Sequence, residues 1–226
     1  MIDSTSKIEH MIDLIDEKVA EHCDIFMIGG GALMYNEFKE YTKDIDFVVK
    51  DGKTYSLIEN TMFELGFEST RPRAGMEKAN ISDTLKLEDY TIDLFEKTVC
   101  GQLQLSDSVV SRAKQRYSTP NVRLYTVSNE DIFLLKSVTE REGDVNDCIS
   151  IIRKSDDFDW ECVLDEVQTQ MKYGSPVWIS YVVERLCVLK EEGIFIPIFD
   201  EMLELERQYL KDWSKTFLEE HKGINL

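Results

Sequence analysis

Two aspartates separated by a single residue stand in the segment Asp44-Ile45-Asp46-Phe47. If this segment is a strand, residues two apart share a face, so both carboxylates lie side by side while Ile45 and Phe47 pack into the core. Adjacent carboxylates repel each other unless a cation lies between them, and Mg²⁺ or Mn²⁺ prefers such oxygen ligands. The pair therefore predicts a divalent metal site, although an isolated Asp-x-Asp also occurs on solvated strand edges.

A third aspartate, Asp93, lies among apolar residues in the strand-like segment Tyr90–Phe95. Three carboxylates are enough to hold two metal ions about 3.5–4 Å apart, the arrangement that supports in-line displacement at phosphorus. We therefore expect Asp44, Asp46 and Asp93 to be the metal-binding and catalytic carboxylates. The alternative is that Asp93 is an ordinary surface acid.

Three consecutive glycines, Gly29-Gly30-Gly31, follow the apolar run Asp24–Ile28 and precede a helical pattern. A glycine turn between a strand and a helix leaves free backbone N–H groups at the positive helix end, where phosphate oxygens bind. Glycine also lets a phosphate approach closely because it has no side chain. We expect Gly30 and Gly31 to contact a bound nucleotide, unless the glycines form only a turn.

The elements that must position these residues follow from hydrophobic periodicity. Apolar residues at helical spacing predict helices over 5–22, 32–40, 55–65 and 106–116, and another from the N-cap Ser128 to Lys136. Short apolar or alternating runs predict strands over 24–28, 44–49 and 122–125, with a β-hairpin around Glu88-Asp89. Strands interleaved with helices predict an α/β (α+β) fold, a small mixed sheet with flanking helices.

The pattern changes at about Asp156, after which no convincing strand follows. Helical spacing there predicts three helices over 160–171, 176–189 and 198–217. We predict two units, a core domain over 1–155 and a helical C-terminal subdomain over 156–226. The second unit holds 16 Asp and Glu against 7 Lys and Arg, and its acidic helices could offer a surface to a protein partner.

Composition limits the class of protein. The 226 residues carry a formal charge of −18, which repels a nucleic-acid backbone at long range without excluding a local basic groove. No apolar run approaches the ~18 residues that a membrane span needs, and the N-terminal segment does not resemble a signal peptide. Five scattered cysteines fit reduced thiols. We therefore expect a cytoplasmic protein without membrane contact.

The order of these features resembles the signature of the nucleotidyltransferase superfamily, which shares the fold of DNA polymerase beta. In that signature Gly and then Gly or Ser are followed, after a spacer of twelve residues here, by Asp-apolar-Asp-apolar and later by a third Asp. Gly30-Gly31, Asp44–Phe47 and Asp93 match in that order, and the resemblance covers residues 20–100. It implies transfer of a nucleoside monophosphate from an NTP to an acceptor hydroxyl or phosphate. Glycine stands where many active members have serine.

A second, less specific stretch runs from Ser128 to Lys136 and on to Asp144 and Asp147. It is similar to proteins grouped near the abortive-infection nucleotidyltransferase toxins, which often carry a lysine and a downstream aspartate pair there. This resemblance implies that Lys136 contacts the triphosphate; the alternative is a lysine on the helix surface. Asp144 and Asp147 share a helix face if the stretch is helical, or mark a solvated helix start.

Two further groups of cations are candidates for binding the substrate. Arg71, Arg73 and Lys78 flank a loop with Gly and Pro and could clamp the triphosphate of a nucleotide. Residues 108–129 contain no acid but four bases, which could guide an NTP or an RNA acceptor or form a solvated helix face: Arg112, Lys114, Arg116 and Arg123.

Taken together, these features predict an enzyme, a metal-dependent nucleotidyltransferase that uses an NTP. The acceptor, whether RNA, protein or small molecule, does not follow from the sequence, and neither do the preferred base and the oligomeric state. One alternative is a catalytically inactive module that binds a nucleotide or a protein, and the missing serine favours it. A second is the toxin of a toxin–antitoxin pair acting on tRNA or on a protein, with the same site but another acceptor.

Overall fold

The structure is a computed structural model that describes residues 1–70, 83–139 and 141–220. Within these residues the helices are α1 (Thr5–Asp16), α2 (Gly29–Tyr35), α3 (Gly52–Glu64), α4 (Asp107–Arg112), α5 (Asn129–Ser137), α6 (Glu142–Lys154), α7 (Trp160–Gln170), α8 (Ile179–Glu191) and α9 (Phe199–Glu220). The strands are β1 (Cys23–Ile28), β2 (Ile45–Val49), β3 (Glu68–Ser69), β4 (Asp83–Leu87), β5 (Tyr90–Glu96), β6 (Thr98–Val99), β7 (Leu103–Gln104), β8 (Lys114–Ser118) and β9 (Val122–Thr126).

Seven of these strands form one mixed sheet in the order β3-β4-β5-β2-β1-β9-β8. Strands β1 and β9 are parallel, as are β2 and β5, and the remaining neighbours are antiparallel. Strands β6 and β7 form a separate two-stranded hairpin. A mixed sheet with flanking helices and helices at the C-terminal end confirms the predicted α/β (α+β) fold class.

The central strands are buried on both faces, and their alternation separates two hydrophobic clusters. In β2, Ile45, Phe47 and Val49 join the cluster that α1 and α3 cover, whereas Val48 joins the cluster on the other face. Helix α1 forms here because apolar residues recur every three or four positions, and four of them become buried: Ile8, Met11, Ile12 and Ile15. Asp46 therefore lies on the face opposite α1.

The other face packs against the later helices of the chain. Phe133 of α5 and Trp178, directly before α8, are buried in the same cluster as Phe26 and Val48 of the sheet. The three helices expected beyond residue 155 are present as α7, α8 and α9. The division into units at residue 155 stays a prediction. In the described part of the chain, every helix is too short or too polar to cross a membrane.

Several predicted boundaries differ from the structure. The helix expected over 106–116 is wrong beyond Arg112, because Ala113 adopts an extended backbone and Lys114–Ser118 pairs with β9 as an edge strand. Pairing with a neighbouring strand supplies backbone hydrogen bonds that local helical spacing did not reveal. Helix α2 begins at Gly29 itself and ends at Tyr35, and α1 ends at Asp16 rather than at residue 22.

Candidate active site

Asp46 and Asp93 occupy the same register position on neighbouring parallel strands, β2 and β5. Both alternate with buried apolar residues of the α1 face, so both side chains belong to the opposite face of the sheet. Across the other edge of β2, Asp46 is paired with Ile28, the last residue of β1. The sheet thus brings two aspartates that are distant in sequence together beside the turn that follows β1.

Gly29, the first residue of that turn, is the glycine closest to the carboxylates. Its φ is +62°, and a Cβ atom placed on it would lie 2.1 Å from Oδ2 of Asp46. Glycine is required here by both the backbone conformation and the close approach of the carboxylate. Sequence reasoning did not single out Gly29, although its place directly after a buried strand was the available signal.

The two glycines that we expected to contact a nucleotide face different neighbours. A Cβ on Gly30 would lie 2.3 Å from Oγ1 of Thr42, and one on Gly31 would lie 2.7 Å from the sulfur of Met27. Both residues are buried. A side chain at Gly31 would therefore disturb the core, whereas contact of either backbone N–H with a phosphate stays a prediction.

Asp44 lies in the bend before β2, not within the strand as expected. It is nevertheless close enough to act on Asp46 electrostatically. Burial, followed by the negative charges of Asp44 and Asp93, raises the pKa of Asp46 to about 8. The Asp93 carboxylate accepts a hydrogen bond of 2.5 Å from the hydroxyl of Thr84 on β4. The three predicted carboxylates therefore form one electrostatically coupled group.

Lys136, at the C-terminal end of α5, lies at the edge of this group. Its ammonium is 2.7 Å from Asp144 and 2.7 Å from Asp147, and its side chain is only 11% exposed. Burial lowers the pKa of Lys136, but its two aspartate partners outweigh this, so the pKa is raised. The charge of Lys136 also lowers the pKa of Asp46. Lys136 is thus a buried lysine that is paired with Asp144 and Asp147 and acts electrostatically on Asp46. It does not lie on the helix surface.

Two further cations belong to this neighbourhood, and sequence reasoning missed both. Lys39 pairs with Asp147 at 3.0 Å, which gives that aspartate a second cationic partner. Arg141, directly before α6, is exposed, and its charge lowers the pKa values of Asp46, Cys100 and Asp144. The position of Arg141 between Lys136 and the two aspartates was the signal that could have identified it.

Of the remaining predicted cations, Arg112, Arg116 and Arg123 make their ion pairs and hydrogen bonds with residues other than Asp44, Asp46 and Asp93. Arg71, Arg73 and Lys78 lie outside the described residues. Arg112 is bound at 2.6 Å to both Asp131 and Glu166, and Arg123 pairs with Asp24. Arg116 donates hydrogen bonds to Thr126 and Asn36. Arg112, Lys114 and Arg116 nevertheless line one pocket of about 330 Å³, so their role in guiding an NTP or an RNA acceptor stays a prediction.

The carboxylate group does not present a finished metal-binding geometry. Among residues 1–70, 83–139 and 141–220, no three side chains of His, Cys, Asp or Glu are arranged to hold a metal ion. Carboxylate oxygens such as those of Asp44, Asp46 and Asp93 are nevertheless the ligands that a hard divalent cation prefers.

Comparison with known proteins places the chain among the nucleotidyltransferases. It belongs to the family described as nucleotidyltransferase of unknown function (DUF6036), whose model matches residues 6–177. That range includes the glycine turn, all three aspartates and Lys136. Comparison with curated proteins gives no match.

Solved structures with a similar arrangement include two of the antibiotic-resistance factor ANT(2″)-Ia. Its solution structure has 12% identity and a TM-score of 0.48, with 74% of this chain and 94% of that chain covered. Its crystal structure with adenylyl-2″-tobramycin has 11% identity and a TM-score of 0.48, covering 74% and 96%. A candidate nucleotidyltransferase of Thermotoga maritima has 13% identity and a TM-score of 0.41, covering 59% and 83%. The resemblance to abortive-infection toxins stays a prediction.

Proposed function

We propose that this protein is a metal-dependent nucleotidyltransferase that moves a nucleoside monophosphate from an NTP to a hydroxyl or phosphate of an acceptor, with pyrophosphate as the leaving group. The observation that carries the proposal is the register of Asp46 and Asp93 on adjacent strands beside Gly29. Parallel pairing places the two carboxylates on one face of the sheet at the same register position, and the absence of a side chain at Gly29 makes room for the carboxylate of Asp46. Family membership supports the reaction class.

The carboxylates are assigned as the ligands of Mg²⁺ or Mn²⁺. In this proposal Asp44 and Asp46 hold both ions, whereas Asp93 holds one and helps to remove the proton of the attacking hydroxyl. The ions would neutralise the triphosphate and the attacking oxygen. The high pKa of Asp46 supports the assignment, because a cation would favour the charged carboxylate that burial and its neighbours disfavour.

The cations around the carboxylates are assigned to the phosphates of the NTP. Arg141 is exposed, and Lys136 is oriented by Asp144 and Asp147. A lysine held by fixed partners loses little freedom when it contacts a phosphate, so the chain contributes mainly positioning and charge compensation. Arg71 and Arg73 stay candidates for the same role.

The acceptor stays open between RNA, protein and a small molecule. The alternative of a non-catalytic nucleotide-binding module rests on the sequence, in which glycine stands where many active members have serine. A toxin acting on tRNA or protein would share the site and differ only in acceptor. A protein partner bound through the acidic C-terminal helices, and a cytoplasmic location, are further proposals that rest on composition.

Label transfer from an α-labelled NTP tests the proposal. Purified protein is incubated with cell extract as the acceptor source, with Mg²⁺ or Mn²⁺ or with EDTA, and labelled RNA, protein and small molecules are separated. We expect metal-dependent labelling that Asp46→Asn reduces by orders of magnitude, because electrostatic stabilisation is often the largest catalytic contribution.

The matched control is Asp107→Asn, which makes the same change at an exposed position in the first turn of α4. Its labelling should equal that of the wild type. Metal-dependent NTP binding without label transfer to any fraction would favour the binding module. Equal labelling by Asp46→Asn and wild type would exclude the assigned site.

A further inference from the structure

A pocket of about 290 Å³ lies beside α8. One wall is a single face of α8, formed by residues at positions i, i+3, i+4 and i+7: Tyr181, Glu184, Arg185 and Val188. Thr139 and Val145 line the other side. Its volume is close to the lower end of the range for small-molecule sites.

Arg185 is the unusual residue of this pocket. The residue is only 6% exposed, and one terminal nitrogen, Nη2, donates a 2.6 Å hydrogen bond to the carbonyl of Thr139. Its Nε is buried and has no hydrogen-bond partner, and no ion pair joins Arg185 to any carboxylate of the described residues. A buried guanidinium that has one hydrogen bond to a carbonyl but no counter-ion is costly, so its retention requires an explanation.

Two other partly or largely buried cations of this chain are paired with carboxylates, which offset the free energy of burying their charge. Lys136 pairs with Asp144 and Asp147, and Arg112 pairs with Asp131 and Glu166. Arg185 is more buried than Arg112 and has no counter-ion in the part of the chain that the structure describes. An anion from outside the chain would supply the missing negative charge.

We propose that this pocket binds a small molecule through an anionic group, a carboxylate or a phosphate, held by Arg185. Val145, Val188 and the ring of Tyr181 would contact the apolar body of the molecule. Glu184 is exposed at the same pocket and would accept a hydrogen bond from a donor group of the ligand. The inference does not rest on the proposed nucleotidyl transfer.

Binding must be measured directly rather than through activity. The hydroxyl of Thr139, whose carbonyl meets Arg185, donates to Asp144, and Asp144 pairs with Lys136. A change at Arg185 could therefore alter the proposed active site without any effect on a ligand. Benzoate and inorganic phosphate serve as probes in separate titrations followed by NMR chemical shifts, which distinguish a carboxylate with an apolar body from a bare phosphate.

Two variants address the pocket in different ways. Arg185→Met keeps an unbranched side chain and removes the charge, whereas Val188→Trp fills the pocket and leaves Arg185 intact. Arg153→Met is the matched control, since Arg153 is exposed on α6 and does not line the pocket. Asp46→Asn controls for binding at the carboxylates.

At least one probe is expected to bind the wild type and both controls, and to bind Arg185→Met and Val188→Trp roughly tenfold or more weakly, as for loss of a charged hydrogen bond. Should Arg185→Met fail to fold, the same loss in Val188→Trp supports the site. Absence of binding of both probes to the wild type would overturn the proposal. Equal binding by the wild type and Val188→Trp would do the same.

Discussion

Two groups of acids lie on the same side of the sheet and differ in what surrounds them. Asp131 and Glu166 share Arg112, and Glu166 also accepts hydrogen bonds from Ser106, Ser108 and Gln170. Burial alone would raise the pKa of Glu166, but these donors outweigh it, so the pKa is lowered. We refer to these residues (Arg112, Asp131, Glu166 and their donors) as the satisfied network.

The group formed by Asp44, Asp46 and Asp93 is the opposite case. Burial and like charges raise the pKa of Asp46 to about 8, and Lys136 and Arg141 reduce the effect without abolishing it. In the satisfied network each carboxylate has a bond from Arg112 and at least one neutral donor, although burial still raises the pKa of Asp131. Asp46 is instead buried beside like charges, at a cost that a bound cation can recover. The satisfied network is thus a structural cluster, whereas Asp44, Asp46 and Asp93 form a candidate functional one.

The largest effect on label transfer is expected from a change at Asp93, which lies on β5 beside Asp46. Asp93→Asn should lower label transfer by orders of magnitude, as Asp46→Asn does. The effects of substitutions are not additive when the residues act as one catalytic unit. The double variant with both Asp46→Asn and Asp93→Asn should therefore be only slightly slower than the slower of the two single variants. Transfer rates of all three variants test this, and multiplicative losses would indicate independent roles.

Breaking the satisfied network should affect stability instead of transfer. Glu166→Ala leaves Arg112 with one carboxylate and removes the acceptor of three neutral donors, so we expect a loss of about 3–5 kcal/mol in the free energy of unfolding. Urea unfolding measures it. Transfer per folded molecule should stay near the wild-type value, and a loss of transfer in a fully folded variant would place Glu166 in the site.

The raised pKa of Asp46 should make the stability of the protein depend on pH. An aspartate has a pKa near 3.9 in the unfolded chain, whereas the pKa of Asp46 in the folded protein is about 8. At pH values between these two, Asp46 keeps its proton in the folded state and loses it in the unfolded state. Stability without metal therefore falls as the pH rises through this window. Asp46→Asn removes this contribution, so its stability relative to the wild type should increase from about pH 5 to about pH 8.

Unfolding in metal-free buffer across this range measures that difference. Adding Mg²⁺ should reduce it, because a bound cation favours the charged carboxylate in the folded state. A difference between variant and wild type that is constant with pH would show that Asp46 does not titrate in this window.

The smallest expected effect concerns the turn beside the carboxylates. Gly29→Ala combines a positive φ with a methyl group placed against Asp46, whereas Gly174→Ala has a positive φ and no atom within 4 Å of its Cβ. Strain from the positive φ alone should cost about 1–2 kcal/mol in each variant. Gly29→Ala should lose more stability and also transfer, and equal losses with unchanged transfer would remove Gly29 from the site.

The sequence predicted the local parts of the site well. The apolar run before the glycines, the alternation in β2 and the N-cap Ser128 depend on neighbours in the chain, and the structure contains all three. The edge strand β8 was mistaken for helix because its partner, β9, determines its conformation. Local spacing carries little information about pairing with another strand.

Sequence alone determined that two glycines, an Asp-x-Asp pair and a third aspartate follow one another in the order typical of nucleotidyltransferases. Only the tertiary structure decided that Asp46 and Asp93 share one register position, that Gly29 lies against Asp46, and that Lys136 is buried between Asp144 and Asp147. The physical reason is the separation along the chain between the residues that interact. Alternation along a strand is set by adjacent residues, whereas register, burial and charge pairing are set by segments that meet only when the chain folds.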